Sequence, residues 1–284
     1  MIDYTKFLPV HEVARMGKHE LHVEVYRGNR NQGSGTTSIS THPPLLLVHG
    51  AYTGSWMWSK YIPHFVEHGW TCYAMNLRSH YRSRVMDMTR ITVEDYLEDI
   101  REVLSLLDEP PILVGFSMGG ILSQKVAETA DLAGLIIIDT SISREVHDAL
   151  PYPLADRIEP GIIMPAPLRE ENETIDETPE DIAFQRHYLQ MESAKAFRTF
   201  SALCGAKGIS VDGDLITCPG LVIKAVLSED EEQRGRLTAK QLGASYFGLW
   251  GTTHTGLLVG QRYKEAVDVI LEWLDSNYSG KKTG

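Results

Sequence analysis

The sequence predicts an α/β fold built on a mostly parallel sheet with helices on both faces. Three observations carry this prediction. Short, unbroken apolar runs, Leu45-Leu46-Leu47-Val48, Ile112-Leu113-Val114 and Leu135-Ile136-Ile137-Ile138, have the length and composition of strands buried on both faces. Segments of helical period lie between such runs, and strand–helix alternation is the pattern of parallel strands joined by helical crossovers. The chain has 284 residues, 43% hydrophobic and 23% charged. This is ordinary globular usage, and it allows a sizeable core in one or two domains.

Taken in order, residues 21–26 alternate apolar and polar like an edge strand with one wet face. Residues 28–41 are small and polar and predict a flexible loop, which Pro43-Pro44 ends before the first buried run. Trp56 to His68 reads as a helix and Thr71 to Asn76 as a strand. Val93 to Leu107 reads as a helix with Tyr96, Leu97, Ile100, Val103, Leu104 and Leu107 on one stripe. The alternation breaks between Ser141 and Leu215, where several prolines precede an acidic stretch and a helix expected from about 179 to 203. This insertion is expected to be a lid over the C-terminal edge of the sheet, where open α/β sheets bind ligands. The chain thus divides into a first part of the core sheet domain at 1–140, a lid at 141–215, and a second part of the core at 216–284. That second part holds a strand at Leu221 to Leu227, part of a helix at Thr238 to Leu242, a strand at Ser245 to Trp250 and an amphipathic helix at Tyr263 to Asn277, before a tail expected to fray.

Composition excludes several function classes. The formal net charge is −11 with Lys and Arg scattered, so nucleic acid and anionic membranes are not expected partners. Cys72, Cys204 and Cys218 are odd in number and lack metal-ligand spacing, which points to a reduced chain with no disulfide framework, and so to a cytoplasmic location. No run approaches the roughly 18 apolar residues of a membrane span, and the N-terminus lacks the continuous apolar segment of a signal peptide. No metal or organic cofactor is implied.

The chemistry is carried by Gly115-Phe116-Ser117-Met118-Gly119, a G-x-S-x-G pattern between a buried strand and a helix. The pattern alone is weak, but its placement is specific. A sharp strand-to-helix turn holds the serine in strained backbone angles, and a Cβ on either glycine would collide with a neighbouring strand or helix. The hydroxyl then stands at a helix N-terminus, where free N–H groups and the helix dipole favour a developing anion. A serine needs a base. His254 lies in the loop between the last predicted strand and the last helix, at the same sheet edge as Ser117; His49 and His80 are the alternatives, while His11, His19, His22, His64, His68, His147 and His187 have surface-like surroundings.

These features resemble the α/β-hydrolase superfamily over residues 44–278, the lid excepted: Leu47-Val48-His49-Gly50 after the third strand, the nucleophile elbow and the late His loop. The resemblance implies a serine esterase or lipase-like enzyme with Ser117 and His254 catalytic. It implies an oxyanion hole from the N–H of Met118 and of Ala51, or of Tyr52. Asn76-Leu77-Arg78-Ser79-His80 is similar to the family's D-x-R-G-H-G-x-S segment, with Asn76 in place of an acid and Ser79 and Tyr81 in place of glycines. Trp56 and Trp58 are similar to the plant methylesterase and hydroxynitrile lyase branch. In the family the third member of the triad usually follows the strand read as Leu221 to Leu227, in a slot that falls here on Ser228. Asp230 or Glu229 fills it if the strand is extended, and Asp139, at the end of the preceding sheet strand, is the other candidate.

The leading expectation is a serine hydrolase that cleaves an ester, thioester or lactone through an acyl-enzyme on Ser117. The alternatives are a lyase or acyltransferase on the same triad, and a receptor-like member that only binds. Ile158, Ile162, Ile163, Met164, Leu168, Phe184 and Tyr188 of the insertion either contact a hydrophobic small-molecule substrate or pack the lid on the sheet.

Overall fold

A computed structural model describes residues 2–28, 42–153, 161–170 and 174–278. The loop expected over 28–41 (Gly28 apart), Ile158 and the tail after Ser279 lie outside the described residues. The elements run β1 (Glu12–Met16), β2 (Leu21–Tyr26), β3 (Leu45–Val48), α1 (Ile62–Glu67), β4 (Cys72–Met75), α2 (Val93–Ser105), β5 (Ile112–Phe116), α3 (Met118–Ala127) and β6 (Gly134–Ile138). The inserted segment follows with α4 (Arg144–Ala149), β7 (Ile163–Met164), α5 (Pro179–Tyr188), β8 (Glu192–Ser193) and α6 (Ala194–Phe200). The chain then returns to the sheet through β9 (Gly220–Val226), α7 (Glu229–Gln241), β10 (Ser245–Trp250), α8 (Gly256–Val259) and α9 (Tyr263–Tyr278).

The main sheet has eight strands in the order β1-β2-β4-β3-β5-β6-β9-β10. β1 and β2 pair antiparallel at one edge, and β4 onward are parallel to one another. Both faces are dry, as the unbroken apolar runs predict. Leu46, Val48, Leu113, Ile137 and Val222 share one core with the stripes of α2 and α3, while Leu45, Leu47, Ile112, Val114, Ile136, Ile138 and Ile223 share the other with α1 and α9.

Local sequence explains where several helices begin and end. Thr92 caps α2 by accepting from the Asp95 N–H, and Asp95 accepts from the Thr92 N–H at 2.8 Å; Thr178 and Asp181 repeat this reciprocal pair at α5. Three expectations are corrected. Residues 21–26, expected as an edge strand with one wet face, form β2, which is buried along its length and lies between β1 and β4. The helix expected from Trp56 to His68 is a 3₁₀ turn over Ser55–Lys60 followed by α1, with Pro63 in the first turn of α1, where a missing N–H costs nothing. The helix expected over 179–203 is broken into α5 and α6, because Leu189 leaves the helical region (ψ 138°) and Ser193 starts a new helix by accepting from the Ala196 N–H at 3.2 Å. Among the described residues no helix is long and apolar enough to cross a membrane.

Because β3, β5, β6, β9 and β10 are parallel, their C-terminal ends lie along one edge of the sheet. That edge carries the His49-Gly50 turn, Ser117, Asp139 and the loop holding His254.

Candidate active site

Ser117 sits between β5 and α3 with φ 55° and ψ −118°, a backbone conformation that a residue with a Cβ adopts at a cost of about 1–3 kcal/mol. The surroundings hold it there: its N–H donates to Ile138 O at 3.1 Å and its carbonyl accepts from Gly120, Ile121 and Ser141. The flanking glycines are required by close approach. A Cβ on Gly115 would stand 2.4 Å from Gly119 O, and one on Gly119 would stand 2.4 Å from Val48 O and 2.5 Å from His49 O.

The structure brings His254 to this serine, with Nε2 3.0 Å from Ser117 Oγ. The ring is half exposed and stacks on Phe116 with centroids 4.7 Å apart. Its other nitrogen, Nδ1, meets Oδ2 of Asp139. Asp139, at the end of β6, has φ 37° and is 4% exposed. Its second oxygen takes the ammonium of Lys224 and the Ala225 N–H. Burial by itself would raise the Asp139 carboxyl, but the charges of Lys224 and His254 outweigh it and hold the group down to about 2.

The expectation that Asp230 or Glu229 reaches His254 is corrected. Ser228 is not a loop residue ahead of an acid but the N-cap of α7, and its side chain accepts from the Glu231 N–H. Glu229 and Asp230 fall in the first helical turn, where they complement the helix dipole. Asp230 has a side chain 64% exposed and lies 3.9 Å from Arg234, not from the histidine. Of the three acids considered, only Asp139 is brought to His254.

The turn after β3 lies against the nucleophile: a Cβ on Gly50 would stand 3.1 Å from Ser117 Cβ. Among the described residues neither the Ala51 nor the Met118 N–H donates a hydrogen bond, whereas the Tyr52 N–H donates to Glu192 Oε2 at 3.3 Å. Tyr52 has φ 67°, and its carbonyl accepts from Gln190 N–H at 2.8 Å. Glu192 is fully buried and also accepts from Tyr96 OH at 2.5 Å and Ser193 N–H at 2.7 Å, with His80 Nε2 at 3.1 Å. Burial opposes charge on both members of the Glu192–His80 pair, yet each partner overcomes it, so Glu192 is lowered and His80 raised. His49 packs beside His80. Its Nδ1–H donates to Gly50 O and its Nε2 accepts from Leu77 N–H, while burial and the charge of His80 push it down to about 3. The ring nitrogens of both alternative bases are thus engaged by scaffold groups other than Ser117. His22, expected at the surface, is buried and paired with Glu24.

A family model described as "Alpha/beta hydrolase family" matches residues 45–269. This chain belongs to the α/β-hydrolase family. It is 35% identical over 80 residues to Methylesterase 3 of Arabidopsis thaliana, covering 27% of this chain and 30% of the plant protein. The chain thus spans less than half the length of the curated relatives it matches. Among solved structures, an esterase from Thermogutta terrifontis superposes with a TM-score of 0.64 at 18% identity, covering 95% of this chain and all of the other. A monoacylglycerol lipase from Paleococcus ferrophilus superposes with 0.65 at 18%, covering 91% and 99%. At such identities the likeness shows the fold.

In this α/β-hydrolase a cavity of about 510 Å³ opens on Ser117 and His254. Met57, Phe116, Ile142, Leu189, Phe197 and Phe200 supply its apolar walls, with Arg169, Gln185 and Lys224 among the polar groups. Among the described residues, those singled out from the sequence in the insertion do not line it: Phe184 and Tyr188 pack on Trp56, while Ile162 and Leu168 are exposed. In the segment similar to D-x-R-G-H-G-x-S, Ser79 (φ 63°) and Tyr81 (φ 46°) hold left-handed backbone in the slots where the family carries glycine. Asn76 replaces the acid with a group that both donates to His22 O and accepts from Ser55 N–H.

Sequence reading missed Lys224 and Glu192. Lys224 had a signal, being the one charge in an apolar strand, which demands a buried partner. Glu192 had none, since it lies where a continuous helix was expected.

Proposed function

We propose that the protein is a serine hydrolase of carboxylic ester-like bonds, with Ser117 as nucleophile, His254 as general base and Asp139 as the acid that orients it. The observation that carries this is the chain of contacts Ser117 Oγ to His254 Nε2 and His254 Nδ1 to Asp139 Oδ2. His254 takes the hydroxyl proton as Oγ attacks the carbonyl carbon, and the oxyanion is held by the N–H groups of Met118 and Ala51. The imidazolium returns that proton to the leaving alcohol, thiol or lactone oxygen as the carbonyl–leaving-group bond breaks. Water then attacks the acyl-enzyme, with His254 again as base, and releases the acid and free Ser117.

The assignment of the hole to Ala51 and not Tyr52 rests on the Tyr52 amide being engaged by Glu192. The apolar walls favour an acyl or ring group of that character in a small molecule. With a carboxylate on His254 Nδ1, the lack of an acid in the usual slot no longer argues for a protein that only binds.

The test is turnover of p-nitrophenyl esters together with labelling by a fluorophosphonate. Wild type is expected to turn over many equivalents and to label once, and Ser117→Ala to do neither. Labelling at another serine, or a single acylation without turnover, overturns the reading.

A further inference from the structure

We infer that Lys224 is a positioning residue for the proposed base: by pairing with one oxygen of Asp139 while the other holds His254 Nδ1–H, it sets the pH at which the site becomes active. The inference rests on the reading of His254 as general base and assigns that site a fourth member.

Lys224 stands mid-strand in β9, 7% exposed, in the run Leu221-Val222-Ile223-Lys224-Ala225-Val226. The parallel register places Ile138 beside Ile223, and Asp139 N–H donates to Ile223 O at 2.7 Å. The next residue on each strand is therefore Asp139 facing Lys224. Nζ contacts Asp139 Oδ1, and Ala225 N–H donates to the same oxygen at 3.2 Å. Oδ2 is left for the imidazole.

The charged and titratable groups around the pair come from four elements. Asp139 follows β6, Tyr152 follows α4, Glu231 is on α7, and Tyr246 is on β10. His254 closes the set from the loop after β10. Two further cations are engaged elsewhere: Arg234 of α7 turns its guanidinium to the carbonyl oxygens of Leu150 and Pro151 and over the Tyr152 ring, 4.1 Å from its centroid, and Arg169, which lines the same cavity, pairs with Glu177. Among the described residues, the cation in contact with the Asp139 carboxylate, besides any charge on His254, is Lys224.

The sign follows from Coulomb's law. A proton entering the Asp139–His254 pair is attracted by the carboxylate and repelled by the ammonium, and in a poorly solvated strand end both effects are only partly screened. With Lys224 charged, protonation of the pair is opposed and the base stays free at lower pH. Without it, the carboxylate acts on the imidazole unopposed and protonation begins at higher pH.

The experiment compares pH profiles of kcat/KM for wild type, Lys224→Met, Lys224→Gln and Lys224→Arg, with folding checked by circular dichroism. The acid limb is expected to move up by about one pH unit in the two neutral variants and to stay in place in Lys224→Arg. A neutral variant that folds and keeps the wild-type limb overturns the inference. So does failure of both neutral variants to fold while Lys224→Arg folds, because the lysine is then structural. A wild type active but without an acid limb overturns the His254 reading itself, a result distinct from a limb that exists and does not move.

Discussion

Replacement of Asp139 by asparagine separates this residue from the other acids that the sequence left open. The carboxylate accepts from His254 Nδ1, which leaves Nε2 as the free acceptor facing Ser117 Oγ at 3.0 Å. An amide in that place can present its NH₂ to Nδ1. The ring then carries its proton on Nε2, where it cannot take one from the serine. Loss of this orientation is expected to lower kcat by up to about 10⁴-fold, equivalent to about 5.5 kcal/mol of transition-state stabilisation. The same change leaves the Lys224 ammonium buried without its anion, a fault that costs about 3–5 kcal/mol of stability when a buried pair is broken.

The assay therefore needs two readouts, steady-state ester hydrolysis and urea denaturation, so that loss of activity in the folded fraction is told apart from unfolding. Asp230→Asn serves as the control. Its side chain is largely exposed and its contact to Arg234 is long, so activity is expected to stay within about twofold of wild type and the urea midpoint to be nearly unchanged. If Asp139→Asn keeps activity within about threefold while Asp230→Asn is severe, the geometry has been misread and α7 must rearrange to deliver its acid.

Two further outcomes test the scaffold. Gly119→Ala puts a methyl 2.4 Å from Val48 O, and because backbone must move, a stability loss of about 1–3 kcal/mol is expected with a disproportionate fall in kcat; a urea midpoint equal to wild type contradicts the packing argument. Glu192→Gln should narrow its stability deficit at both ends of the pH scale. The lowered Glu192 contributes fully above its ordinary 4.5 and is lost as pH falls through its folded value, while the raised His80 contributes fully below its ordinary 6.5 and is lost as pH rises through its folded value. The largest difference in urea midpoint therefore belongs between those two values, and a difference that does not vary with pH refutes the ion pair.

What the sequence made legible was local. Buried strands show as apolar runs because both sheet faces are dry, and the elbow shows because its serine and two glycines lie within five residues of chain, although the close approach that requires Gly119 comes from Val48 and His49. The late His loop was found from chain order. The acid was left open between Asp139 and Asp230 or Glu229, because Ser228-Glu229-Asp230-Glu231 admits two readings, a loop after an extended strand or a helix N-cap with acids in its first turn. The S-x-x-E spacing was itself the signature of the second. Glu192 was hidden for a different reason: its partners His80, Tyr96 and Tyr52 are more than 90 residues distant, and no local pattern encodes such a meeting.

Two features of β9, an empty acid slot after the strand and a single charge within an apolar run, have a common physical reading. An acid on a loop keeps part of its hydration and stays ionised without help. An acid at the end of β6, 4% exposed, does not, because burial favours its neutral form. Moving the carboxylate from loop to strand end therefore calls for a cation beside it, and the register of β6 on β9 supplies one position from which a long side chain reaches one oxygen while leaving the other for histidine. Lysine at 224 meets that need. On this account Asp139 and Lys224 form one unit, so restoring an acid at Ser228 would not by itself rescue Asp139→Asn, since the ammonium left in the strand would still oppose a proton on His254.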